Sequence, residues 1–291
     1  MNRRTFLGAA AALPALVGQQ RSLDAHTHFY DPSRAQGVPW PAKDNSALYR
    51  TVLPPEFQKL TRTLGVEGTI AVEASPWLED NQWVLDLAQR YPVIRGFVGH
   101  LDPGRPGFAA NLDRFRKHRL FLGIRIGGAL LAGQLRNQAF LADMRRLADA
   151  DLELDVLGGP APYADTARLS DRVPGLRVVL DHLPNDAPKD PAALWALKDR
   201  PNIYGKVSGV VRRVDGRVVI DAAFYRESLD QLWAAFGEDR LVYASNWPVS
   251  DLLAPYAQVL HVVQAYFASK RPIALEKFFW SNAHKAYRVP G

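Results

Sequence analysis

The side chains able to do chemistry collect at a few points along the chain. His26 and His28 stand two apart. Glu73, His100, Arg125 and Asp155 follow, then Asp181-His182, Lys206 with Ser208, and Ser245-Asn246-Trp247. Residues two apart on an extended segment point to the same side, so His26 and His28 can face one cavity. Histidines and carboxylates together supply general acids, general bases and metal ligands. Arg and Lys add fixed positive charge. Cysteine is absent, which excludes a thiolate nucleophile, a thiolate metal site and a disulfide frame. Taken singly, each of these residues reads as an ordinary cap or loop residue. Their joint position at the ends of apolar runs carries the argument, because buried charge is costly unless paired or bound.

The elements that must position them are short apolar runs at 22–26, 68–74, 93–100, 121–127, 152–157, 177–182, 202–208 and 241–245. Each is rich in Val, Ile, Leu and Phe on both parities, as a strand buried on both faces requires. Stretches with helical spacing alternate with them, over 80–91, 140–150, 222–236 and 253–267. Strands alternating with helices at this spacing predict an α/β fold, a (β/α)8 TIM barrel, in which chemistry sits at the C-terminal strand ends. An open doubly wound sheet is the alternative. It ordinarily carries a glycine fingerprint after its first strand, and Asp24-Ala25-His26-Thr27-His28 has no glycine. The first gap holds Pro32, Pro39, Pro41, Pro54 and Pro55, which predicts an ordered loop ahead of its helix. A single domain over 21–291 follows, with no internal repeat or linker.

The 291 residues are 47% hydrophobic and 23% charged, the balance of a folded globular chain. Disorder, a collagen-like fibre and a coiled-coil rod are excluded. No apolar run reaches the roughly 18 residues of a spanning helix, so no integral membrane protein is expected. The net charge is +6, but the basic residues are dispersed among acids, and no nucleic-acid partner is expected. Residues 1–20 read as an address: Arg3-Arg4-Thr5-Phe6-Leu7 followed by a short apolar stretch to Val17. Arg-Arg-x-Phe-Leu resembles the twin-arginine export signal of bacteria, which implies a periplasmic protein.

Several motifs together resemble the amidohydrolase-related family, and within it the sugar-lactonase branch of fuconolactonase-like, rhamnonolactonase-like and 2-pyrone-4,6-dicarboxylate-lactonase-like proteins. They are Asp-Ala-His-Thr-His-Phe-Tyr-Asp-Pro at 24–32, Val-Pro-Trp-Pro at 38–41, Gly-Ile-Arg at 123–125, Leu-Asp-His-Leu-Pro at 180–184, Lys-Val-Ser-Gly at 206–209 and Ala-Ser-Asn-Trp-Pro-Val at 244–249. The ending Asn-Ala-His-Lys-Ala-Tyr at 282–287 is similar to the family's closing helix. The resemblance runs from about residue 22 to 289. It implies a TIM barrel that hydrolyses a small-molecule ester, most often a lactone.

By the resemblance, His26 and His28 match the first-strand pair, His182 matches the sixth-strand histidine, and Arg125 falls where some members hold a substrate carboxylate or carbonyl. Asn246 falls where the family usually carries the aspartate that activates water. An amide cannot take a proton at neutral pH and is a poor metal ligand. Two routes to a nucleophilic water therefore stay open. A divalent metal, zinc or manganese, can be held by His26, His28 and a third ligand, His182 or Glu73. Without metal, His182 or Glu73 must act as base while Arg125 and a histidine polarise the carbonyl. Trp40 and Trp247 lie on strand-end loops where an aromatic face can stack on a sugar ring, and Lys206 is a candidate substrate contact. Asp181 is expected to orient His182 or to serve only the barrel exterior. A metal-dependent decarboxylase and a catalytically silent binding barrel are the alternative functions, the second favoured by Asn246.

Overall fold

The computed structural model describes residues 20–158, 162–183 and 192–291. The expected leader lies outside the described residues except for its last position. Strands β1 (Ser22–Thr27), β2 (Val66–Val72), β3 (Ile94–Gly99), β4 (Phe121–Gly127), β5 (Glu153–Leu157), β6 (Arg177–Leu180) and β7 (Ile203–Val207) pair in sequence order. A short hairpin, β8 (Arg212–Val214) with β9 (Arg217–Val219), precedes β10 (Leu241–Tyr243), which joins the other edge of β7. Every pair in this eight-stranded sheet is parallel. The barrel closes where Thr27 bridges Trp247, so its seam runs through the first-strand histidines.

Helices cross between the strands, among them Leu78–Arg90, Gln138–Asp149, Arg226–Phe236 and Tyr256–Phe267. Each buries an apolar stripe on the sheet. On Gln138–Asp149 that stripe is Phe140, Leu141, Met144 and Leu147, the i, i+3/i+4 pattern of an amphipathic helix. The long first connection has its own packing: Tyr30 pairs with Val52, and the helix Pro54–Thr61 follows with Phe57 buried. The expected helix over 222–236 begins instead as a 3-10 turn, Ala222–Tyr225, capped by the Asp221 side chain accepting from the Ala223 amide.

A separate apolar cluster fills the barrel interior, including Leu23, Ile70, Val72, Val179, Tyr204 and Val242. Its floor is the last helix, Asn282–Tyr287, whose Ala283 and Ala286 enter the same cluster. Asn282 Nδ2 donates to the Leu241 carbonyl (2.8 Å) and thereby ties that helix to β10. Tyr287 crosses the floor, and its hydroxyl donates to Asp155 Oδ1 at 2.8 Å. The Asn-Ala-x-x-x-Tyr motif thus plugs one end of the barrel and reaches its buried polar interior. No helix among the described residues is long and apolar enough to cross a membrane.

Candidate active site

The first strand positions its histidines with a bulge. Asp24 pairs with Thr69 and Thr27 with Ala71, so three steps on β1 oppose two on β2. A bulge places consecutive residues on one side and re-aims those beyond it. Leu23 and Ala25 face the interior cluster, and past the bulge His26 and His28 turn inward too. Asp24 holds the distortion from behind. Its Oδ1 accepts from the His26 amide (3.1 Å) and the Ser245 amide (2.9 Å), and its Oδ2 accepts from the Tyr256 hydroxyl (2.9 Å). Burial pushes this carboxyl up to about 6. The Asn246 amide donates to the His26 carbonyl at 3.0 Å and the His28 amide to the Trp247 carbonyl at 2.9 Å, so the same backbone closes the barrel.

Three imidazoles meet at the C-terminal mouth. The Nε2 atoms of His26 and His28 lie 3.2 Å apart. The His26 ring centroid is 4.9 Å from that of His28 and 4.6 Å from that of His182. His28 Nδ1 is 3.0 Å from the Val72 carbonyl, and His182 Nδ1 is 2.6 Å from Ser208 Oγ. Burial, more than any neighbour, lowers all three: His28 to about 3, His182 to about 4, and His26 well below the usual range. All three are neutral at pH 7.

Beneath them lies a polar column that no solvent reaches. Lys206 Nζ sits 2.9 Å from Asp181 Oδ1 and 3.3 Å from His26 Nδ1, and it donates to Asp155 Oδ2. Burial opposes charge on Asp181, but Lys206 and His26 beside it hold its carboxyl well below the usual range. Asp155 is pushed up to about 6 by burial and by Asp181. Below it, burial raises Glu153 far above an ordinary carboxyl, and neither of its oxygens has a hydrogen-bond partner among the described residues. Gly123 makes room for this group: a Cβ there would lie 2.4 Å from Glu153 Oε1.

The structure corrects the expectation for Asp181. It does not face the barrel exterior. His182 takes a left-handed backbone conformation, φ 57°, which breaks strand alternation and lets both neighbours enter the site. Lys206 is also more enclosed than a substrate contact would be, with its ammonium wholly taken up inside. Trp247 is fully buried and packs on Phe29 and Phe57 at 6.1 and 5.6 Å between ring centroids, away from a stacking role. Trp40 is half-buried with its ring 5.6 Å from that of His28. Glu73 and Arg125 are joined: Arg125 Nε donates to Glu73 Oε1 and its Nη2 to the Glu73 carbonyl, both at 2.8 Å. Asn246 is half-buried with φ 62°, and its side chain bonds no other described residue. Ser208, Asp155 and Tyr287 complete the network. Their signal in the sequence was position, since Ser208 lies two residues past Lys206 on one strand face.

The donor set fits a divalent ion. Two nitrogen ligands of a tetrahedral zinc, each about 2.0–2.1 Å away, stand about 3.3 Å apart, close to the 3.2 Å between the two Nε2 atoms. The third and fourth positions differ from the expected trio. Among the described residues, the group whose ligand atoms all lie within 4.8 Å of one another is His26, Asp181 and His182, so Asp181 enters and His28 meets only His26.

L-fucono-1,5-lactonase of Burkholderia ambifaria is 28% identical over 289 residues, spanning 92% of this chain and 95% of that protein. A crystal structure of an amidohydrolase from Burkholderia multivorans with bound zinc superposes with a TM-score of 0.83 at 26% identity, covering 93% of this chain and all of that one. A second crystal structure of an amidohydrolase from that organism, with bound HEPES, gives a TM-score of 0.82 at the same identity and coverage. The family model described as amidohydrolase matches residues 23–289, and with the histidine pair, the sixth-strand histidine and the barrel all in place, this chain belongs to the amidohydrolase family.

Proposed function

We propose that this protein opens a sugar-acid lactone, of the kind named for its Burkholderia relatives, by adding water across the ring ester. The observation that carries this reading is the convergence of three neutral imidazoles and one guanidinium at the mouth of the barrel. Hydrolysis needs an acceptor for the water's proton, a donor for the carbonyl oxygen and a proton for the leaving alkoxide. His182 is uncharged at pH 7 and so has a nitrogen free to accept. Its Nδ1 is occupied by Ser208, which leaves Nε2 for the water and, later, for delivery of the proton to the alkoxide. A guanidinium is a fixed positive charge with donors in a planar fork, and Glu73 fixes the plane of the Arg125 group. Arg125 serves as the donor to the carbonyl oxygen. Asn246 contributes hydrogen bonds to the sugar hydroxyls but takes no proton. Trp40 offers a wall beside His28.

A divalent metal, zinc or manganese, would be held by His26, Asp181 and His182, with His28 beside His26, and would supply a more acidic water and polarise the carbonyl. The leader at 1–20 supports export through the twin-arginine route to the periplasm.

The test is a panel of aldono-1,4- and 1,5-lactones offered to purified protein, with acid release followed by a pH indicator. Turnover of at least one lactone, lost in His182→Ala, supports the reading. A folded protein that opens none of them overturns it.

A further inference from the structure

Basic residues that look dispersed along the sequence gather at one place in the fold. Two adjoining grooves, of about 520 and about 570 Å3, cross the N-terminal end of the barrel, opposite the mouth, and share Pro92 and Arg95. Lys117 and Arg119 line the first, Lys59 and Arg62 the second. Lys59 and Arg62 precede β2, Arg95 is the second residue of β3, and Lys117 and Arg119 precede β4. All five cations are exposed. Among the described residues none of the five forms an ion pair, and Glu67, the only acidic side chain in the lining, is taken by Arg21 at 3.2 Å. Like charges left unneutralised on one face repel one another, and an anionic partner relieves that repulsion.

Arg95 is held between the two grooves. A Cβ at Gly68 would lie 2.5 Å from Arg95 Cγ and 3.1 Å from its Nε, so the arginine lies across β2 in space that any side chain there would fill.

The leader joins the barrel in the same sector. Arg21, bonded to Glu67 on the rim of the second groove, is the residue before β1. Four residues, 18–21, separate the end of the apolar stretch at Val17 from Ser22. Fully extended, those five Cα steps span at most about 17 Å. Wherever the apolar stretch engages a bilayer, this end of the barrel and not the mouth is held near the headgroups. The grooves are open and their cations do not converge on one point, which suits an extended anionic surface more than a single small anion.

We propose that the N-terminal face of the barrel, carrying Lys59, Arg62, Arg95, Lys117 and Arg119, docks on an anionic lipid bilayer and leaves the mouth turned to the solution. The proposal takes the leader at 1–20 from the export reading, and it does not depend on which lactone is opened. Each cation near an anionic surface contributes about fivefold to binding.

The test is co-sedimentation of the full chain with vesicles of phosphatidylcholine alone and of phosphatidylcholine mixed with phosphatidylglycerol. The parent should bind the mixed vesicles at least about a hundredfold more tightly, and raising salt from about 50 to about 300 mM should remove most of that preference. Arg95→Gln, Lys117→Gln and Arg119→Gln combined should cost about a hundredfold on the mixed vesicles and nothing on phosphatidylcholine, where the leader alone acts. Arg213→Gln with Arg217→Gln, on the exposed hairpin that follows β7, should bind like the parent. A parent indifferent to phosphatidylglycerol overturns the proposal, and so does a folded triple variant that binds the mixed vesicles as tightly as the parent. Tighter binding to duplex DNA than to the mixed vesicles at equal salt also overturns it, in favour of a nucleic-acid surface. If the triple variant does not fold, Lys117→Gln alone should still lose about fivefold, and no loss there overturns the proposal. A failed lactone screen, or export of the Lys-Lys leader, leaves every one of these readouts intact.

Discussion

His182 and Ser208 come from the ends of neighbouring strands, and their side chains meet at 2.6 Å between Nδ1 and Oγ. The contact fixes the ring in the one orientation that presents Nε2 to the mouth. Because burial lowers His182 to about 4, its neutral form persists well below neutrality. In the proposed reaction the neutral form is the acceptor, so activity should fall as pH falls. In a profile of kcat/KM the acid limb should lie near pH 4 to 5, and the rate should be flat from there to pH 7. A limb near 6.5, the value of a free imidazole, removes His182 as the titrating acceptor. His182→Ala should lose at least about a hundredfold in kcat. Ser208→Ala should lose less, about tenfold, since only orientation is lost.

Glu73 is spent on Arg125, and its carboxylate and its backbone carbonyl both accept from that guanidinium. This makes it a support for a substrate contact more than a base. Glu73→Gln keeps an acceptor for Nε but loses the charge-assisted part of the bond, worth about 1–2 kcal/mol. Its effect should fall mainly on KM. Arg125→Ala should lower kcat/KM by about a hundredfold or more, and adding Glu73→Gln to it should change little, because the two act as one unit. Steady-state kinetics of the double-mutant cycle read this directly. Additive losses would show that Glu73 has a second role.

Asp24 makes a third prediction, in stability. Its carboxyl is raised above its unfolded value by burial, to about 6. The stability that accompanies its neutral form is present below pH 4 and lost as pH rises through 6. Asn in its place keeps an oxygen for the His26 and Ser245 amides and has no charge to bury. The difference in melting temperature between Asp24→Asn and the parent should therefore move in favour of the variant between pH 4 and pH 7. Calorimetric scans at several pH values would show a constant difference if Asp24 were not the titrating group. Asp24→Ala, which abandons all three bonds, should destabilise at every pH.

The strands were legible because burial on both faces forces apolar residues at every position, and all eight barrel strands fall within or beside the apolar runs. The helix over 80–91 was displaced by only a residue or two, starting at Leu78. What the sequence concealed was direction. Alternation sends Asp181 and His182 to opposite faces, and one left-handed residue undoes that. The bulge after Asp24 likewise reverses the side to which odd and even residues point. The bulge is stabilised by contacts far along the chain, from Ser245 and Tyr256 to Asp24, and no local pattern announces either departure. The hairpin at Arg212–Val219 is a different case. Asp215 and Gly216 both have positive φ, 46° and 77°, and Asp-Gly is the pair that favours such a turn. The signal stood in the sequence, inside a stretch whose length suggested only a connection.

Export is tested by its arginines. Changing Arg3 and Arg4 together to Lys keeps the charge of the leader and removes the pair that the twin-arginine route reads. The parent protein, expressed in a bacterium with that route, should appear in the periplasmic fraction, and the double variant should stay in the cytoplasm. Periplasmic recovery of the Lys-Lys form would assign the leader to another route.

Asn246 occupies the strand end that, by the family resemblance, ordinarily carries an aspartate. Its backbone is tied on both sides: its amide donates to the His26 carbonyl, and its carbonyl accepts from the Ser250 amide, each at 3.0 Å. Its φ of 62° is one that Asn and Asp tolerate better than other side chains. Asn246→Asp should therefore fold like the parent, whereas Asn246→Ala would mix loss of the amide with backbone strain. The new carboxylate adds a proton acceptor and one negative charge two residues past Ala244, which faces the interior cluster. Zinc affinity, measured by equilibrium dialysis, should rise by about tenfold or more, since charged oxygen ligands are favoured over amide oxygen. Rate at neutral pH should rise with it, because a carboxylate can take the proton that the amide refuses. If the Asp form binds zinc no better and turns over no faster, the side chain at this position does not reach the reacting centre, and His182 carries the proton transfer unaided.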